Sequence, residues 1–399
     1  MFEYLEHLSP DPLLGIIERF RVDRNPNKID LGVGVYKDDW GQTPVLRCVK
    51  SAESFLLKEQ ASKSYLGPLG DQTFTQSMCE LVMGDEREVM SEGRTAVLQT
   101  PGGCGALRVA AELIVRAKPG AKVWVSDPTW ANHVPLLCDA GISIATYPYY
   151  DYVHKSIRFE EMLDTLRKAD VGDLVLLHGC CHNPCGADLS AEQWLQTVEV
   201  MLEKRLVPFV DMAYQGFGQG LDQDALGLRL VLKRFDEAVF TVSCSKNFGL
   251  YRDRVGVVGF MLKTDSHAMT ALTNLTQIVR GIYSMPPDHG AAVVAHILND
   301  NTLRDQWVAE LAQMRSRINA MRAGMAKSMA ALGCSSRFDF VTREHGMFSF
   351  LGITEDQVSC LASNFGIYLA ASSRINVAGL NQNNLDYFCQ SLSSVLASA

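Results

Sequence analysis

From about Val97 to Phe260, short β-branched runs alternate with longer amphipathic stretches, the pattern of strand–helix units that build a mainly parallel sheet. The predicted strands are Lys122–Ser126, Asp173–His178, Val207–Asp211, Ala238–Ser243 and Val255–Leu262. Between the second and third, Ser190 and Gln193 stand in capping-box spacing, and Trp194, Val198, Met201 and Leu202 fall on one face. That predicts a helix, and the connection is long enough for a crossover. After Leu303 the rhythm changes to long, charged helical stretches with Met, Leu and Ile on one face (Trp307 to Leu332). Short strands follow around Met347–Leu351 and Ile375–Val377, a composition suited to a second, smaller domain. The expected division is an N-terminal arm over 1–11, a small domain from 12–43 and 315–399, and a large domain over 44–314, with a soft boundary near 315 where the long helical pattern continues.

In an open parallel sheet, ligands bind beyond the carboxyl ends of the strands, so the residues just after each strand carry the candidate chemistry. Thr100-Pro-Gly-Gly-Cys-Gly-Ala leads into a helix predicted over 107–116, placing free backbone N–H groups at a helix start, where a phosphate sits well. It lacks the Gly-Lys-Ser/Thr ending of a nucleotide loop and the third glycine of the dinucleotide fingerprint, and a plain helix cap is the alternative. His178-Gly-Cys-Cys-His-Asn-Pro-Cys-Gly186 invites a metal reading. Structural zinc prefers paired elements across a longer loop, and adjacent Cys180 and Cys181 point to opposite faces if the strand continues, so no metal is expected. Asn183 reads instead as a hydrogen-bonding group positioned in a turn.

Asp211 emerges from the apolar run Phe209-Val-Asp-Met-Ala-Tyr214 and needs a partner; a protonated ring nitrogen of a cofactor would supply one, and a helix N-cap is the alternative. Lys246 follows directly on a buried strand, between Ser243 and Ser245 hydroxyls and eight residues before Arg254. Burial beside cations lowers a lysine's pKa and opens imine chemistry with an aldehyde, while two hydroxyls and a guanidinium suit a phosphate dianion. A surface lysine is the bland alternative; Asp211 beside it makes scaffolding a poor explanation.

At 399 residues the chain exceeds what one core usually organises, which supports two domains, and 47% hydrophobic content suffices for both. A net charge of -8 without basic runs argues against nucleic acid, leaving small molecules or a second copy as partners. The first residues carry acids where a leader carries bases, and no apolar stretch reaches the roughly 18 residues of a membrane span, so a soluble, cytoplasmic protein is expected. The eleven cysteines show no framework spacing and read as reduced, mostly buried thiols.

Along nearly its whole length the chain resembles the class I aspartate/aromatic aminotransferases. The supporting stretches are Gly32-Val-Gly-Val-Tyr-Lys-Asp38, Tyr65-Leu-Gly67, Trp130-Ala-Asn-His133, Cys181-His-Asn-Pro184, Asp211-Met-Ala-Tyr-Gln-Gly-Phe217, Ser245-Lys-Asn-Phe-Gly-Leu-Tyr251, Tyr283-Ser-Met-Pro-Pro287 and Ser373-Arg-Ile-Asn-Val-Ala-Gly379. The resemblance implies an α/β fold-type I transferase that uses pyridoxal 5'-phosphate: a large domain with a mainly parallel sheet flanked by helices, plus a smaller α/β domain. It also implies a homodimer with shared active sites.

Under that resemblance Lys246 would hold the cofactor as an imine and move the proton, Asp211 would pair with the pyridine nitrogen, and His133 would support Asp211 from behind. Tyr214 and Asn183 would hydrogen-bond the phenolic oxygen, and Trp130 would stack on the ring. The phosphate would be held by Gly103, Cys104, Ser243, Ser245, Arg254 and the neighbouring subunit's copy of Tyr65. Arg374 would grip the substrate α-carboxylate, assisted by Gly34 and Asn183, and Arg280 would reach across to the distal carboxylate. Cys104 stands where the family usually offers a hydroxyl, and Cys185 where it has Thr; the second change is expected to be nearly silent. Met285, beside Ser284, is soft enough to admit an aromatic side chain.

The expected reaction is reversible ping-pong transfer of the amino group between aspartate, with aromatic amino acids as further donors, and 2-oxoglutarate. Alternatives are an enzyme acting mainly on aromatic amino acids, a lyase or decarboxylase, which would lack the arginine pair, and a silent binding protein, which would lack the lysine–aspartate pair.

Overall fold

Seven strands form the central sheet of this computed structural model, which describes residues 2–7, 12–87, 90 and 92–397. In chain order they are β1 (Thr95–Pro101), β2 (Lys122–Asp127), β3 (Ser143–Pro148), β4 (Leu174–His178), β5 (Val207–Met212), β6 (Ala238–Ser243) and β7 (Val255–Met261). Their spatial order is β1-β7-β6-β5-β4-β2-β3. Every residue of β6 and β7 is buried, the continuous apolar pattern of strands covered on both faces. The edge strand β3 is mostly exposed or half-buried, and its mixed Ser143–Pro148 sequence carries no strong periodicity. Neither β3 nor β1 stands among the strands predicted above.

β7 alone runs antiparallel to both neighbours, β6 and β1. Its beginning therefore shares an edge with the carboxyl ends of the other strands. Register aligns His178 with Asp211, Asp211 with Thr241, Ser243 with Gly256 and Pro101 with Val255. The residues that follow β1, β4, β5 and β6, and those that precede β7, are thus gathered on one edge.

Helix α1 (Gly102–Ala117) begins directly at the end of β1, five residues before the predicted start. Glycine is a weak helix former, but close packing overrides propensity here. A Cβ on Gly102 would come within 2.5 Å of the Arg254 guanidinium, and one on Gly256 within 2.7 Å of the Gly102 carbonyl carbon. Gly102 also has φ +72°, which a side chain would strain. The predicted helix α2 (Ala191–Glu203) forms with its Ser190–Gln193 capping box.

The chain separates into two compact units, Pro44–Ser316 and Met1–Thr43 with Arg317–Ala399. The division lies within the helix Asn301–Met329. Of the N-terminal arm expected over 1–11, residues 1 and 8–11 lie outside the described residues. In the smaller unit Ile29–Asp30 pairs in parallel with Ile367–Tyr368, and Phe348–Phe350 pairs antiparallel with Arg374–Asn376. Its core contains a buried arginine, Arg322, which donates to the Val341, Gly346 and Phe348 carbonyls at 2.7–2.9 Å. Among the described residues no helix is long and apolar enough to cross a membrane.

Candidate active site

A cleft of about 170 Å³ opens at the edge of the sheet just described. Gly103, Cys104, Trp130, Asn183, Asp211, Tyr214, Ser243, Ser245, Lys246 and Arg254 all line it. Sequence reasoning proposed each of these ten from separate stretches of chain, and the strand order brings them together.

The Asp211 wall is heavily braced. Thr241 Oγ1 donates to Asp211 Oδ1 at 2.8 Å, and His133 Nε2 lies 3.2 Å from Asp211 Oδ2. Burial alone would raise the Asp211 carboxyl; the bonds from His133 and Thr241, with the nearby imidazoles, outweigh it and hold the group below its ordinary range. Behind His133, Thr129 Oγ1 sits 2.8 Å from His133 Nδ1 and 3.1 Å from His178 Nε2. One hydroxyl proton cannot serve two acceptors. The hydroxyl therefore donates to one imidazole nitrogen and accepts an N–H from the other, tying the two rings together. Burial and the neighbouring His133 push His178 down to about 3, so it stays neutral in that role. Thr129, Thr241 and His178 were not singled out as site residues in the sequence. The available signal for Thr241 was its position directly across β5 and β6 from Asp211.

The opposite wall is sparse. Pro101 supplies no side-chain cap to α1, whose first N–H groups have no partner within the helix, and Gly103 and Cys104 of that first turn line the cleft. Arg254, held at φ +56°, donates through Nη1 to Ser245 Oγ and to the Tyr251 carbonyl, both at 3.2 Å. Ser245 N donates to Ser243 Oγ at 3.3 Å. The Asn132 amide reaches Cys104 Sγ at 3.8 Å.

Between the walls, Lys246 Nζ lies 4.6 Å from the centroid of the Tyr214 ring. Desolvation lowers its pKa and Arg254 adds to that, while Asp211 opposes both; the net shift is downward. The turn after Lys246 is pinned from below: Phe248 stacks on buried Trp307 at 4.4 Å, and Trp307 Nε1 donates to the Asn247 carbonyl at 2.8 Å. Asn183 Oδ1 is buried with no hydrogen-bond partner among the described residues, an acceptor left for a ligand.

Other predicted site residues stand apart. Tyr65 is 91% exposed, and Arg280, at the end of the helix Asp265–Ile282, is exposed and donates to Ser284 Oγ. Neither lines the cleft. In the smaller unit Arg374 stacks on the Phe348 ring at 4.5 Å and donates to the Gly32 carbonyl at 2.8 Å, while a Cβ on Gly34 would meet the same ring at 2.8 Å.

One expectation needs correction in detail. β4 ends at His178 and Cys181 has φ +51°, so the Cys180 and Cys181 thiols do not diverge; with an Asp224 carboxylate oxygen they lie within 4.8 Å of one another. The Asp224 carboxylate accepts from the Gly216, Gly218 and Gln219 N–H groups at 2.7–2.9 Å, so it serves as a loop clamp. Cys185 lies 3.1 Å from His182 Nδ1.

This arrangement, a lysine and a braced carboxylate facing an open anion cup, belongs to a chain whose residues 26–392 match the profile of the aminotransferase class I and II family. The protein is a member of that family. It is 43% identical to the aspartate aminotransferase of Salmonella typhi over 396 residues, 99% of this chain and 100% of that one. It is 47% identical to the tyrosine aminotransferase of Rhizobium meliloti over 380 residues, 95% of this chain and 96% of that one. Its fold matches the aromatic-amino-acid aminotransferase of Burkholderia pseudomallei, solved covalently bound to pyridoxal phosphate, with a TM-score of 0.97, 41% identity and 99% coverage of each chain.

Proposed function

We propose that the protein is a pyridoxal 5'-phosphate-dependent transaminase that moves the amino group of aspartate, and of aromatic amino acids, to 2-oxoglutarate. The observation that carries this reading is the cleft itself: a desolvated Lys246 amine, an ionised Asp211 and unspent phosphate donors share one small space. The cofactor fits the residues present, because the orphaned Asn183 Oδ1 and the uncapped start of α1 are groups that a ring hydroxyl and a phosphate would satisfy. Once bound, it supplies an electron sink for the electrons of the substrate Cα–H bond.

The chain's own residues divide the remaining work. Asp211, kept ionised by Thr241 and by the His178–Thr129–His133 relay, holds the proton on the ring nitrogen. Tyr214 and Asn183 bind the ring oxygen, and Trp130 covers the ring face. The N–H groups of Gly103 and Cys104, with Ser243, Ser245 and Arg254, hold the phosphate. Lys246 Nζ anchors the cofactor and later carries a proton to and from Cα; its lowered pKa keeps more of the amine neutral and able to act as the base. Arg374 grips the α-carboxylate with help from Gly34, and Arg280 selects a distal carboxylate.

Exposure of Tyr65 and Arg280 on the isolated chain supports their serving the site of a second copy in a homodimer. All eleven cysteines are free thiols, which supports a reducing, cytoplasmic setting. The similarity to the tyrosine aminotransferase supports aromatic donors beside dicarboxylic ones.

A panel of kcat/KM values for aspartate, glutamate, tyrosine and phenylalanine tests the assignment. Arg280→Leu is expected to cost the dicarboxylates about 2–5 kcal/mol in transition-state terms and to spare tyrosine. An equal loss for tyrosine would remove Arg280 as the selector, and full turnover in Lys246→Ala would remove the mechanism.

A further inference from the structure

Cys104 is a partly exposed thiol in a cup otherwise lined for an anion, and the proposed function gives it no chemistry of its own. Seven of the eleven cysteines are buried, and of the remaining four only Cys104 lines this cleft. Its surroundings suit an anion: Arg254 lines the same small space, and so does Gly103 of the first turn of α1, where N–H groups have no partner within the helix. The buried, partnerless Asn183 Oδ1 independently marks the cleft as one that receives a ligand. A thiol there donates a poorer hydrogen bond to a phosphate than a hydroxyl would. It can also react where a hydroxyl cannot.

We propose that Cys104 is a cofactor-gated modification site, which exchanges with small anionic disulfides when the cup lacks its phosphate and is shielded when the phosphate is in place. The inference rests on the cofactor assignment made above. In the exchange, Cys104 Sγ attacks one sulfur of the disulfide. A new S–S bond forms, the old one breaks, and the second half leaves as a thiol carrying the proton lost by Cys104. Cys104 is oxidised and the disulfide reduced, and excess thiol reverses the reaction. The anionic groups of the reagent meet the Arg254 guanidinium that otherwise meets the phosphate. The adduct and the cofactor therefore compete for one space, and oxidation of this single thiol would hold the enzyme in its unloaded form.

The test treats the full-length protein with dithiobis(nitrobenzoate) in three states: loaded with pyridoxal phosphate, depleted of it, and depleted but supplied with inorganic phosphate. Peptide mass mapping reads which cysteine is labelled, and exposed Cys138 serves as an ungated control. Labelling of Cys104 is expected to be at least about tenfold faster in the depleted protein than in the loaded one, with partial protection by phosphate and no change at Cys138. The labelled protein should take up no cofactor, by absorbance of the bound chromophore, until dithiothreitol releases the adduct. The Cys104→Ser variant should load after the same treatment. Equal labelling of Cys104 in loaded and depleted forms, or normal loading of the adduct, would overturn the gate. If the untreated protein takes up no pyridoxal phosphate, the cofactor assignment fails separately. The inorganic phosphate arm then decides the gate alone: protection keeps it, and no protection removes it.

Discussion

The two walls of the cleft are built on opposite plans. On the Asp211 side the polar groups bond one another in series, Asp211 to Thr241 and to His133, then Thr129, then His178. On the Arg254 side the donors are held in place but left largely unspent, with an uncapped helix start and two serines. A wall that carries its own fixed charge must be satisfied before any ligand arrives, since a buried unpaired carboxylate is costly. A wall that receives a charge must stay unsatisfied until then. The protein's rigidity is thus spent on the side where the cofactor brings a ring, and its free donors on the side where the cofactor brings a dianion.

Breaking the braced wall should have the largest effect. Asp211→Ala is expected to lower kcat by about 10³-fold, and to cost about 3 kcal/mol of stability in the cofactor-free protein because His133 and Thr241 lose their acceptor. Single-turnover kinetics and denaturant unfolding read the two effects. Arg254→Leu should do the reverse. Cofactor-free stability should change little, while cofactor affinity falls by about 2 kcal/mol, roughly 30-fold in Kd, by equilibrium titration. A loss of stability matching that of Asp211→Ala would erase the distinction between the walls.

Thr129→Val lies two bonds removed from the carboxylate and should cost about 1–2 kcal/mol by leaving two imidazole nitrogens unpartnered. It should also shift the pH dependence of the bound chromophore, a change that mere loosening would not produce. At neutral pH the smallest effect is expected from His178→Gln. The His178 imidazole is held near 3 against an ordinary 6.5, so between those values the unfolded chain binds the proton and the folded chain does not. Stability therefore rises with pH across that window, and the variant should show a shallower slope in unfolding free energy between those limits.

The α/β class was legible because the inner strands are apolar on both faces and stand between amphipathic helices. β3 escaped notice because an edge strand with half-exposed, mixed residues loses that signal, and the antiparallel direction of β7 is a pairing property with no mark in its composition. Much of the cleft was legible for a simple reason: Asp211, Lys246 and Asn183 are polar groups abutting apolar runs, where scaffolding gives them no purpose. Thr129, Thr241 and His178 were not, because each looks like an ordinary turn or strand residue until the register and the fold around His133 place it against the relay. The paired thiols at Cys180 and Cys181 were misplaced for a related reason. The positive φ at Cys181 turns the chain where an extended strand was assumed.

The central claim is that Lys246 is the amine that meets the cofactor. Reductive trapping of the protein loaded with pyridoxal phosphate, followed by peptide mass analysis, tests it directly. The account predicts a single cofactor-derived mass addition on Lys246, absent from Lys246→Ala. An addition on a different lysine, or none with the wild-type chain, would contradict it.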